Sequence, residues 1–148
     1  MKQNRRFWLL LFGAYLLALL LLLFRRTPVE HPGINLLPLH TIRDYFLVLR
    51  REDPVGLALR PYAVLNFAGN LLAFLPFGAF LPLLFLRQRT FFLFLCTAAG
   101  SICAVETLQY FTRRGSLDVD DLLLNLPGAC VGWLLWKLGN RKQKRRIL

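Results

Sequence analysis

Carboxylates are scarce in this 148-residue chain: eight Asp and Glu stand against nineteen Lys and Arg, a formal net charge of +11. Cysteines number three and histidines two, and each shortage removes a class of chemistry. Cys96, Cys103 and Cys130 fall inside apolar runs with no CxxC spacing. That excludes a disulfide framework and the usual zinc patterns, and leaves them as small apolar packing residues. His31 and His40 lie in a proline-rich loop, so no Ser-His or Cys-His pair sits in the apolar segments to run nucleophilic catalysis. The cations are not interleaved with aromatics on one soluble face, so the positive charge does not point to nucleic acid.

Apolar sequence is what the chain has in abundance, at 56% of its residues. A bilayer core about 30 Å thick needs roughly 20 largely apolar residues at about 1.5 Å each. Four segments approach that length: 7–24, 63–86, 91–111 and 119–138, the last with its apolar part beginning at Leu122. The first exceeds the ~7–15 apolar residues of a signal peptide, and Phe24-Arg25-Arg26-Thr27 offers no small-residue cleavage site, so it reads as a retained anchor. The expected fold is all-α, a single domain over 1–148 built as an integral membrane bundle of four transmembrane helices. Lys2, Arg5 and Arg6, then Arg87 and Arg89, then the basic tail 139–148 with Lys137 before it, contain no acidic residue. By the positive-inside rule these segments, and both termini, are cytoplasmic.

Between the first two segments lie residues 25–62, with prolines at 28, 32, 38, 54 and 61 that break any long helix. Leu39, Ile42, Tyr45, Phe46 and Leu49 nevertheless recur at helical spacing, which predicts a short amphipathic helix in this extracytoplasmic loop, lying in the interface or packed on the bundle. In the second segment Pro76 and Pro82 lack amide hydrogens and free the carbonyls of Leu72 and Gly78, predicting a kinked helix placed against protein. Gly128 and Gly132 form a GxxxG step suited to close helix approach, and a homodimer through them is one expectation.

The polar residues of the spans share a depth. Asn66 and Asn70 fall about 6 and 12 Å below the outer end of the second span, Glu106 about 8 Å below that of the third, and Asn125 about 10 Å into the fourth. Helical steps of three, four or seven group Asn66 with Asn70, Glu106 with Gln109 and Arg113, and Asp118 with Asp121 and Asn125. A carboxylate such as Glu106 is costly in lipid and calls for a partner, water or a proton. The expectation is a polar pocket sunk into the outer leaflet, with Asn66, Asn70, Glu106, Gln109, Arg113, Arg114, Asp118, Asp121 and Asn125 as candidate ligand-binding residues. The plainer alternative makes the amides hydrogen-bond glue between helices and the aspartates helix caps.

Several short motifs then stand in order: Asn35-Leu36-Leu37-Pro38-Leu39; Asn66 and Asn70 followed by Phe74, Pro76 and Gly78; Glu106 with Gln109; and Arg114-Gly115-Ser116-Leu117-Asp118-Val119-Asp120-Asp121 leading to Asn125 and Gly128. This set, covering about residues 34 to 133, resembles the VanZ-like family of small bacterial membrane proteins associated with teicoplanin resistance. Leu117 stands where that family often has an aromatic, and Pro127 directly precedes the expected glycine. The resemblance implies a multi-pass protein of the bacterial plasma membrane, of a Gram-positive cell envelope, with an effect on glycopeptide sensitivity; it implies no mechanism.

The leading expectation is a non-enzymatic pocket that binds the head of an amphiphile: a membrane lipid, a lipid-linked wall precursor or a lipoglycopeptide. It calls for no cofactor and no metal. One alternative is an enzyme acting on a lipid-linked envelope precursor, with Glu106 and Asp121 as candidate catalytic groups and Asp118, Asp120 and Asp121 as cation ligands. Another is a small ion-coupled transporter subunit.

Overall fold

The structure, a computed structural model, describes residues 2–25, 28 and 30–145; Arg26, Thr27 and the last three residues of the basic tail lie outside them. Helix α1 is Lys2–Leu23, strand β1 Ile34–Asn35, α2 His40–Arg50, α3 Pro54–Ala73 and α4 Leu75–Leu84. A 3₁₀ turn at Leu86–Arg89 leads into α5, Phe91–Phe111, followed by β2, Leu117–Asp118, and α6, Val119–Arg145. Four helices are long and apolar enough to cross a membrane, over 5–23, 54–84, 91–111 and 119–140. This is the all-α membrane bundle that the apolar runs predict, and α2 is the amphipathic helix of the first loop.

The second span starts earlier than its apolar run. Prolines 54 and 61 were expected to keep 25–62 out of long helix, yet α3 begins at Pro54 and carries Pro61 inside it. Pro54 sits in the first turn, where its missing amide had no helical partner to lose. Asp53 caps that turn, accepting from the Gly56 amide at 2.6 Å. The Arg51 guanidinium, 2.6 Å from Asp53 Oδ2, and then the Gly56 amide hold this carboxyl below its usual range.

The predicted kink is a break at Phe74, between α3 and α4. Pro76 cannot donate to Leu72, whose carbonyl accepts from the Phe74 amide instead. The neighbouring carbonyl of Ala73 takes the Tyr15 hydroxyl of α1 at 2.6 Å. Lipid offers no donors, so the break is stable only where a helix such as α1 covers it. Phe12 and Tyr15 complete that contact against Phe77 and Phe80, with ring centroids 6.0 Å apart in each pair.

The centre of the bundle is the seam between α3–α4 and α6. A Cβ on Gly128 would meet the Leu71 carbonyl oxygen at 1.9 Å, one on Gly132 that of Leu75 at 1.9 Å, and one on Gly78 that of Ala129 at 1.9 Å. Backbones this close admit only glycine. The order of contacts, Leu71 with Gly128 and then Leu75 with Gly132, shows the two helices running in the same direction. The Gly128–Gly132 step, expected as one route to a homodimer, packs here against the chain's own second span. Helix α5 lies across α6 through Phe94 and Trp133, 6.0 Å between centroids. Cys96 and Cys103, expected as packing residues, lie on its exposed side.

Candidate functional site

At the end of the bundle where α5 turns into α6, the chain makes a compact polar assembly. Helix α5 ends in a left-handed residue, Arg113 at φ 57°, with the Arg114 amide reaching Gln109 O at 2.8 Å and the Arg113 amide reaching Tyr110 O at 3.0 Å. This is the Schellman pattern of a helix end. Arg113 thereby leaves the face it would share with Glu106 in a continuous helix, and its side chain is exposed. Gly115 folds back over Gln109, where a Cβ would stand 3.3 Å from Gln109 Cβ.

The returning chain then pairs with the first loop. Strands β1 and β2 are parallel, Ile34 opposite Leu117 and Asn35 opposite Asp118, and the Leu117 amide donates to Gly33 O at 3.0 Å. Asp118 accepts from Asn35 Nδ2 at 3.0 Å and from Thr41 Oγ1 at 2.5 Å, as well as from the Asp120 amide at 2.9 Å. Asp120, with 0% of its surface exposed, accepts from the Leu39 amide at 2.6 Å and the Ile42 amide at 3.1 Å. It therefore caps α2 from a distant segment, where Leu39 at φ 66° supplies no side-chain cap. Asn35 and Thr41 are parts of this latch that helical spacing could not have revealed, since they bond to Asp118, about 80 positions away.

The remaining polar residues divide between two helix contacts. Asn70 Nδ2 of α3 donates to Asp121 Oδ1 of α6, joining two of the three spans the sequence places at one depth. Asn125, 3% exposed, donates to Asp121 O at 2.8 Å, while its Oδ1 has no hydrogen-bond partner among the described residues. On α5, Glu106 and Gln109 are buried at 7% and 4% exposure. Gln109 Nε2 donates to Leu23 O at 3.0 Å and Arg114 Nη1 to Phe24 O at 2.7 Å. Both satisfy carbonyls at the C-terminus of α1, where a guanidinium also meets the negative end of the helix dipole. Asp118, Asp120 and Asp121 thus engage three different sets of partners, and the described residues hold no group of three His, Cys, Asp or Glu arranged to bind a metal ion.

Between α1 and α3 at this same end opens a cleft of about 560 Å³. Asn66, Asn70, Tyr62 and Arg25 give it polar atoms, and Leu22, Leu23, Leu65 and Ala73 give it apolar walls. Asn66 Nδ2 donates to Tyr62 O at 2.9 Å. Of the candidate residues, only Asn66 and Asn70 line the cleft; Asp121 stands behind Asn70, and Gln109 and Arg114 hold the α1 end that forms the opposite wall. Arg25 and Tyr62 were not among the candidates. Their signal was available in a cation and an aromatic flanking apolar runs, the usual signature of an interface.

A family model described as VanZ/LLP1 matches residues 8–140. The chain belongs to the VanZ/LLP1 family. The matched range contains the cleft, the latch and the whole glycine seam. Neither curated proteins nor solved structures yield a match to this chain. Leu117 pairs through its main-chain amide, and Pro127 is exposed on α6, beside the packed face of Gly128.

Proposed function

We propose that this VanZ/LLP1 membrane protein binds the polar head of an amphiphile in the cleft between α1 and α3, and thereby lowers sensitivity to lipophilic glycopeptides such as teicoplanin. The observation that carries the reading is the composition of the cleft: two carboxamides and a guanidinium beside leucines and alanine in about 560 Å³. Carboxamides hydrogen-bond sugar and peptide groups, a guanidinium forks onto phosphate or carboxylate, and the leucines take an acyl or prenyl chain. Asp121 fixes Asn70 from behind, while Gln109 and Arg114 fix the end of α1, so the two walls keep their spacing.

Asn66→Ala, Asn70→Ala, Arg25→Gln and Asp121→Asn variants, expressed at matched membrane abundance, test this. A photoactivatable residue at Leu65 should crosslink a lipid-linked precursor or a lipoglycopeptide in the parent protein. The three cleft substitutions should each weaken that crosslink and restore glycopeptide sensitivity, and Asp121→Asn should do so by loosening Asn70, which it holds. Parental resistance and crosslinking in all of them would remove the cleft from the explanation.

A further inference from the structure

The opposite end of the bundle carries a second groove, of about 780 Å³, between the start of α1 and the turn joining α4 to α5. Trp8 and Leu83 to Leu86 make it apolar, and Arg5, Arg87 and Gln88 give it a polar edge. The turn that forms this edge is pinned. Gln88 Nε2 donates to Thr97 Oγ1 at 3.0 Å, and the Gln88 main-chain oxygen accepts from Trp133 Nε1 at 3.0 Å.

Neighbouring cations already have protein partners. Arg89 donates to Pro82 O at 3.2 Å and stands 5.6 Å from the Trp136 ring, and Lys137 lies 4.6 Å above Trp133. Arg5 and Arg87 have no carboxylate near them in sequence or along the bundle, because all the acidic residues fall within 30–53 and 106–121. The nearest in the core, Glu106, is about 22 Å up α5 from its start at Phe91. Two guanidinium groups with no Asp or Glu near them among the described residues therefore border an apolar slot holding an aromatic of the kind that sits at headgroup level.

We propose that this groove is a binding site for an anionic phospholipid, with the phosphate on Arg5 and Arg87 and one acyl chain along Trp8, Leu83 and Leu86. The site is separate from the α1–α3 cleft and does not depend on it.

Purified full-length protein in detergent, titrated with phosphatidylglycerol or with phosphatidylcholine of the same chains and read by native mass spectrometry, tests the assignment. Two interfacial arginines should give phosphatidylglycerol roughly a 30-fold advantage, with Arg5→Gln and Arg87→Gln each losing about fivefold of it. Arg6→Gln, of equal charge change but outside the groove, should keep it. Equal retention of the two lipids by the unsubstituted protein overturns the proposal without reference to any variant. So does an undiminished preference in Arg5→Gln and Arg87→Gln, or an equal loss in Arg6→Gln, which would assign the preference to overall charge.

Discussion

Asp120 offers both carboxylate oxygens to main-chain amides of a helix that begins 80 positions earlier, and it has no exposed surface on which water could replace them. Asp120→Ala leaves two partly buried donors unmet and should destabilise the protein by about 2 kcal/mol. Asp120→Asn should cost nearly as much, because one oxygen becomes an NH₂ facing an amide donor. Thermal unfolding in detergent, with proteolysis of 40–50 as a local readout, checks both. Asn125 is the opposite case. Its amide hydrogen goes to a carbonyl of its own helix, and its buried oxygen has no partner among the described residues, so Asn125→Leu should leave stability unchanged or raise it by about 1 kcal/mol. If the site uses that oxygen, the same variant loses the proposed glycopeptide protection while melting no earlier, a separation that thermal shift and a sensitivity assay together detect. The sequence made these residue types conspicuous, since aspartate and asparagine inside apolar runs are costly. It could not say which polar group each would meet, because Asp118 and Asp120 bond to the first loop while Asp121 bonds to α3, and residues 118 to 121 carry no local signal for that division.

Helices, in contrast, were largely legible, because the length of an apolar run is itself the constraint that a bilayer imposes. The third span runs over Phe91–Phe111 as its apolar run predicts. The start of α3 was not legible: prolines at 54 and 61 read as breakers, and only the Asp53 cap and the position of Pro54 in the first turn make them compatible with helix. Nor could the GxxxG step name its partner, since the same small residues serve a second copy of the chain or an internal neighbour equally well. The structure makes the consequence steep. Gly128→Leu would drive a side chain into the Leu71 carbonyl and part α3 from α6, costing about 3 kcal/mol or preventing assembly of the bundle. Leu on the exposed neighbour position, Val131→Leu, should be nearly silent in the same unfolding measurement. At the Phe74 break, Tyr15→Phe removes the one hydroxyl that meets the Ala73 carbonyl. Hydrogen bonds between membrane helices average about 0.6 kcal/mol and reach about 1.7. With the carbonyl left at a helix break, the upper part of that range is expected, again as a fall in melting temperature.

Charge divides the whole molecule along its long axis. Every acidic residue of the chain lies in the first loop or between Glu106 and Asp121, at the end that holds the latch and the cleft, while the termini and the α4–α5 turn carry only basic residues. Four helices long and apolar enough to cross a membrane would put both termini on one side, and we propose from the excess Lys and Arg that this side is the cytoplasm. In that proposed orientation the cleft would open toward the exterior, which is where a glycopeptide or a completed wall precursor is encountered. Cysteine labelling decides this. Ser116→Cys lies on the exposed turn before β2, and Gly139→Cys stands where an added side chain meets nothing within 4 Å, so both substitutions fit the fold. Introduced singly, with Cys96, Cys103 and Cys130 replaced by alanine, the first should react with a membrane-impermeant maleimide on intact cells and the second only after permeabilisation. The reverse pattern would turn the cleft to the cytoplasm, where lipid-linked precursors are assembled but external glycopeptides do not reach. The proposed protection would then lose its substrate while the fold, the latch and the glycine seam stayed as they are.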